Sequence, residues 1–341
     1  MKRIPGVHVI RRLALALALS MIWPVVAAEH SVYFYGLKEV TADEWSANVV
    51  RWSREGLSRV TVSLESGREF LLDDPAQAIR LSGFFRLAAS HGLQIEGMVL
   101  QDPSWALTPM DARRRLRKVL TFAAGCRCWL DSVQIDVEVY TAPNLFGRRQ
   151  WERFADLVSS LRLEMGRARS DMRLTAALPW WISHVASEIE LSRIAAALDA
   201  AALMSYGDEN GVPVAVDEET FRRKVYPSIT ALYAHGIPFR VGVAKYEHRS
   251  EESMGQFVAF LDRLFPPDGG YQGISRFHDG SGFRVASHGA GAFVPRRLSL
   301  AEDTRLGAEL SMQFIAFPPA GSLGHKIRNS RLRQLNEPIA G

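Results

Sequence analysis

The stretch Leu130–Tyr140, LDSVQIDVEVY, places Gln134, Asp136 and Glu138 at strict two-residue spacing among β-branched residues. Side chains alternate faces along a strand, so these three share one face while Val133, Ile135 and Val137 share the other. An apolar face packs against neighbouring elements. The acidic face must point where carboxylates have work to do, because burying them without a partner or a purpose is costly. Two carboxyls this close raise one another's pKa, which keeps one protonated near neutral pH as a general acid requires.

The elements around this strand set where it points. Short β-branched runs recur along the chain, namely 31–36, 58–64, 93–100, 172–181, 201–209, 239–246 and 273–277, and helical patterns separate them. The first helix is announced by Thr41 followed three residues on by Glu44, a capping box. With the acidic strand this makes eight strand candidates at βαβ spacing, which predicts an α/β fold closed as a single-domain (β/α)8 TIM barrel. A doubly wound open sheet is disfavoured by the count of eight and by the lack of a glycine-rich phosphate loop after the first strand. In a barrel the acidic face lines the interior, and Glu138 stands nearest the C-terminal mouth.

At this point the residues resemble those of the glycoside hydrolase family 18 chitinases and endo-β-N-acetylglucosaminidases, whose fourth barrel strand carries an Asp-x-x-Asp-x-Asp-x-Glu signature. Here Asp131, Asp136 and Glu138 match, and Gln134 stands in place of the second Asp. The family's Met-x-Tyr on strand six corresponds to Met204, Ser205 and Tyr206. Its following Asp is replaced by Gly207, with Asp208 and Glu209 next, and its floor Trp on the last strand corresponds to Phe277. The resemblance implies Glu138 as general acid, Asp136 orienting a 2-acetamido group whose own carbonyl attacks the anomeric carbon, and Tyr206 holding that carbonyl. The mechanism it implies is retaining and substrate-assisted. Gln134, Met204, Trp180, Trp181, Phe277, Tyr35 and Asp208 are the candidate substrate-binding residues.

Other residues carry plainer expectations. One of Trp180 and Trp181 stacks a sugar ring or packs under a loop, and Tyr33 and Tyr246 are inner-face candidates for which core packing is the expectation. Trp105 would line the mouth, with Asp102 beside it to bind a hydroxyl. Glu96, in mid-strand, is either a third interior carboxylate or part of a salt bridge at the rim. No HExxH, GxSxG or Walker-type spacing occurs, so neither metal nor cofactor is expected.

At 341 residues, 47% hydrophobic and 23% charged, the chain can bury a full core. Residues 1–28 read as a secretory signal peptide, with Lys2, Arg3, Arg11 and Arg12 before an apolar run that ends in small residues near Ala28. The barrel would occupy 29–284, followed over 285–341 by a closing helix and a polar, partly flexible tail. Removing the leader balances acidic and basic residues, and no basic stripe with interleaved aromatics argues for nucleic acid. The expected product is therefore an exported, periplasmic or secreted, monomeric glycosidase acting on a polysaccharide or glycan, with no membrane span after cleavage. Two alternatives stand beside it: a catalytically silent, lectin-like barrel, and a two-carboxylate glycosidase for a sugar without an acetamido group, using Asp208 or Glu209. Cys126 and Cys128, one residue apart, read as packing residues.

Overall fold

A computed structural model describes residues 28–126, 129–168, 170–207, 213–265 and 270–277. Eight strands form one closed parallel barrel in chain order. They are β1 (Ser31–Phe34), β2 (Arg59–Ser63), β3 (Gln94–Val99), β4 (Ser132–Ile135), β5 (Arg173–Pro179), β6 (Ala200–Met204), β7 (Phe239–Ala244) and β8 (Tyr271–Phe277). The helices α1 (Ala42–Arg54), α2 (Pro75–Ser90), α3 (Pro109–Cys126), α4 (Gln150–Arg167), α5 (Glu188–Ala197), α6 (Glu218–Lys224), α7 (Tyr226–Ala234) and α8 (Glu251–Leu264) surround it. The (β/α)8 expectation is met.

Alternation along the strands divides the buried residues into two cores. Outward residues such as Val60, Val62, Ile95, Val133, Ile135, Leu174, Val241 and Val243 join the helices in one continuous apolar cluster. The inward residues are of another kind. Thr61, Glu96, Ser132, Gln134, Thr175 and Arg240 are all buried and fill the barrel's axis. Glu96 is the centre of this inner set: one carboxylate oxygen accepts from Arg240 Nη2 at 2.7 Å and Thr61 Oγ1 at 2.8 Å, the other from Ser132 Oγ at 2.9 Å and Thr175 Oγ1 at 2.8 Å. Arg59 Nη1 lies 3.8 Å away. Burial opposes ionisation of Glu96, but the two guanidiniums outweigh it and hold the carboxyl down to about 2. Glu96 is thus an interior carboxylate whose salt bridge lies in the barrel and not at its rim. Arg240→Met strands this charge. The expected loss is about 3–5 kcal/mol of folding free energy, checked by chemical denaturation.

Local sequence explains most element ends. Thr41 and Glu44 close the predicted capping box on α1, with Thr41 Oγ1 accepting from Glu44 N at 3.3 Å and Glu44 Oε2 from Thr41 N at 2.7 Å. The stretch 217–235, which reads as one helix, breaks at Val225 into α6 and α7. Pro227 forces the break, since it has no N–H to give and fits only the first turn of a new helix. Strands β1, β5 and β6 end sooner than their apolar runs suggest, and Trp180, Trp181 and Tyr206 lie beyond their strands. A two-stranded hairpin, Glu65–Ser66 with Glu69–Phe70, follows β2.

Cys126 is disulfide-bonded, which corrects its expected role as a free packing residue. Cys128, the only other cysteine of the sequence, lies outside the described residues. No helix among the described residues is long and apolar enough to cross a membrane. Of the expected leader, 1–28, all but Ala28 lies outside the described residues, as does the expected closing segment 285–341.

Candidate functional site

The acidic face meets the barrel mouth at the end of β4. Strand pairing stops at Ile135, but the Asp136 amide still donates to Val99 O at 3.3 Å, so Asp136 keeps its inward alternation. Glu138 then opens a one-turn 3-10 helix, Val139–Thr141, whose Thr141 amide and hydroxyl donate to the Glu138 carbonyl at 2.9 and 2.8 Å. This turn fixes the Glu138 backbone at the rim.

The two carboxyls stand in an acid-stabilising environment. Burial pushes Asp136 up to about 8, and the charges of Glu138 and Glu65 push the same way. Glu138 is also raised by burial, opposed by the Tyr140 hydroxyl, which donates to its Oε1 at 2.8 Å. Carboxyls raised in this way keep their protons closer to neutral pH, the state a general acid needs. Tyr140 was not among the residues expected at the site. It lies two residues past Glu138, on the same alternation, and that spacing was the available signal.

Aromatic rings wall the site. Tyr33 is buried and accepts from Gln134 Nε2 at 2.8 Å, in line with its expected packing role. Tyr35, two residues on, points its hydroxyl at Met98 Sδ, 3.9 Å away. Tyr206 stacks on Phe277 with centroids 4.9 Å apart and planes 12° from parallel, and Tyr35 meets Phe277 edge-on at 5.7 Å. The strand-six tyrosine and the last-strand phenylalanine are therefore brought together with Asp136, whose charge reaches both Tyr35 and Tyr206. Met204, on Tyr206's alternation, is 8% exposed and lies in register with Gly242.

Gly242 seats this ring. A Cβ there would stand 3.2 Å from Tyr206 Cε1 and 3.0 Å from Leu203 O. Gly242→Ala therefore pushes Tyr206 off Phe277. The expected cost is about ten- to a hundredfold in kcat/KM for a ring displaced by a fraction of an ångström to an ångström, with folding retained by circular dichroism.

Trp180 and Trp181 form a second wall, edge to face at 5.3 Å, and Trp181 meets Tyr140 edge-on at 5.1 Å. Trp180 Nε1 donates to Gly207 O at 3.4 Å, while the Gly207 amide donates to Glu247 Oε1. The segment after Tyr206 is thus tied at both its carbonyl and its amide. Asp208 and Glu209 lie outside the described residues. Tyr246 corrects an expectation: it is 62% exposed in a short turn after β7, edge-on to Phe277 at 6.4 Å, because the strand ends before it. Asp102 stands at the start of a turn. Its carboxylate accepts from Ser104 N at 2.8 Å and caps the 3-10 helix Pro103–Leu107. Trp105 packs against Arg115, whose guanidinium lies 4.9 Å from its ring centroid and 3.3 Å from Glu65 Oε1. Glu65 was not expected near the site, because it sits on the unforeseen hairpin.

Leu100, just past β3, is buried with φ +60°, a conformation that costs a bulky residue about 1–3 kcal/mol. Glu65 Oε2 accepts from the next amide, Gln101 N, at 3.0 Å, and so braces the kink beside the Val99 carbonyl that holds Asp136.

Comparison with solved structures shows the fold. A glycoside hydrolase family 18 chitinase from Pseudoalteromonas aurantia is 9% identical over 73% of this chain and 93% of that chain, with a TM-score of 0.50. The exo-β-1,4-mannosidase Op5Man5 from the Opitutaceae bacterium strain TAV5 is 10% identical over 73% of this chain and 51% of that one, at 0.52. Catalytic domain 2 of the Ostrinia furnacalis group II chitinase is 18% identical over 64% of each chain, at 0.41, so this chain spans just under two thirds of that domain. No family model and no curated protein sequence matches the chain. The barrel is of the kind that solved glycoside hydrolases of different specificities share.

Proposed function

We propose that this chain is an exported glycoside hydrolase that cleaves the bond next to an N-acetylhexosamine by a retaining, substrate-assisted mechanism. The observation that carries the reading is the pair Asp136 and Glu138, both raised by burial, two residues apart just past the end of β4 at an aromatic barrel mouth. Perturbed carboxyls in such a position mark a catalytic site more often than a structural network. The signal-like residues 1–28 support export, and the structural neighbours named above support glycosidase chemistry.

In this reaction each residue of the mouth has a role. Glu138, fixed by its turn and by Tyr140, protonates the leaving glycosidic oxygen. An oxygen of Asp136 accepts the acetamido N–H and turns the acetamido carbonyl toward the anomeric carbon. That carbonyl oxygen forms the new C–O bond as the glycosidic bond breaks, and Tyr206 donates to it. Water then reopens the cyclic intermediate while Glu138 takes the water's proton back. Tyr35, Phe277 and the tryptophan wall offer apolar faces to the sugar rings.

The test is product analysis by mass spectrometry, with the full chain incubated with matched N-acetylated and de-acetylated hexosamine oligomers. Cleavage confined to the acetylated members is expected. Equal cleavage of both would replace the substrate-assisted reading with a two-carboxylate one, and binding without cleavage would replace it with a lectin-like barrel.

A further inference from the structure

Two buried acceptors on the inner face of β4 have no partner: Gln134 Oε1 and Asp136 Oδ1. They belong to residues of the same alternation, two apart. The other end of the Gln134 amide is committed, since its Nε2 donates to the Tyr33 hydroxyl at 2.8 Å. Two buried oxygens without a donor each cost free energy, and a single proton shared by the two would satisfy both. With its N–H given to Tyr33, the glutamine offers only its carbonyl oxygen here, and the proton comes from the carboxyl.

We propose that Gln134 is a positioning residue that holds Asp136 in its neutral form, with the Asp136 hydroxyl turned inward onto Gln134 Oε1 and the outer oxygen left free to accept from a ligand N–H. In this arrangement Tyr33 takes the amide's N–H. The charged and titratable groups facing Asp136 are Glu138 on its own strand, Tyr33 and Tyr35 from β1, Glu65 after β2 and Tyr206 after β6. The carboxylates among them disfavour a second negative charge, and the phenols, themselves raised by burial, stay neutral. Arg240 Nη2 pairs with Glu96 and Arg115 with Glu65. The proposal rests on the reading of Asp136 and Glu138 as the working pair, and it deepens that reading. The substitution of Gln for Asp at 134 then removes one titrating group from the barrel and leaves a fixed acceptor in its place.

The test uses the full chain labelled with carboxyl-13C aspartate, the Asp136 resonance being identified by its loss in Asp136→Asn. In the wild type this resonance keeps the neutral-carboxyl position through pH 7. Gln134→Met, an isosteric side chain that accepts no such bond, moves the titration midpoint down by about one pH unit or more, a tenfold change in the ionisation constant. Tyr33→Phe, which frees the amide to turn its N–H onto Asp136, moves it down as well and serves if Gln134→Met does not fold. A wild-type Asp136 already ionised at pH 6, or a midpoint that stays or rises in the foldable variants, overturns the proposal. The readout needs no turnover, so failure of the hydrolase reading and failure of this one are told apart.

Discussion

Glu138→Gln lowers kcat about 10²- to 10⁴-fold, the range that a positioned general acid contributes, while KM and the melting temperature stay close to those of the wild type. The amide keeps the shape of the carboxyl and can still meet the Tyr140 hydroxyl, which now donates to its carbonyl oxygen at the position where it met Glu138 Oε1 at 2.8 Å. What it loses is the proton. The leaving oxygen must then depart as an alkoxide: Tyr140, Tyr35 and Tyr206 are all raised by burial far from the range of a useful acid, and the Asp136 proton, in the arrangement inferred above, is turned inward onto Gln134 and away from the bond. Steady-state kinetics beside thermal melting checks the result. A variant that lost activity together with about 10 °C of melting temperature would be reporting on folding and not on proton transfer.

The second large effect is on stability. Asp136 titrates near 3.8 when exposed and is pushed up to about 8 in the folded chain. Between those values the native state binds a proton that the unfolded state has lost, so folding is favoured at low pH and loses this contribution as pH rises through about 8. Glu138 is shifted in the same direction and adds to the alkaline loss. Asp136→Asn has no proton to lose, and its N–H can meet Gln134 Oε1 as the neutral carboxyl does. The variant is therefore expected to match the wild type near pH 4 and to exceed it at pH 9 by a few kcal/mol, on the order of 1.4 kcal/mol for each tenfold change in the ionisation constant. Chemical denaturation at the two pH values reads this directly. The same variant loses most of its activity, a stability–function trade typical of sites that hold strained or unpaired groups.

Much of the architecture was legible because it is written locally. Eight β-branched runs alternating with capped, amphipathic helices leave few closures other than a barrel, and a two-residue period at 134, 136 and 138 fixes which way the carboxyls face. What the sequence hid is non-local. Glu96 could be seen to be odd, but its partners Arg240, Thr61 and Thr175 come from strands far away in the chain. Glu65 acts through a hairpin of two-residue strands too short to show a period. Gly242 looks like any strand glycine until the Tyr206 ring is placed against it. Strand ends were overread at Trp180, Trp181 and Tyr246, since apolar aromatics continue past the last ladder bond, where they face the mouth and not a neighbouring strand. The acidic pair itself was legible at every level, from spacing to burial.

The central claim, a substrate acetamido group acting as nucleophile beside Asp136 and Glu138, is tested most directly by the configuration of the new reducing end. Proton NMR during the first minutes of hydrolysis of an N-acetylhexosamine oligomer, before mutarotation, shows which anomer forms first. The expected first product has the same configuration as the bond that was cut, from two successive inversions. A first-formed product of the opposite anomer would mean direct attack by water and would contradict the claim.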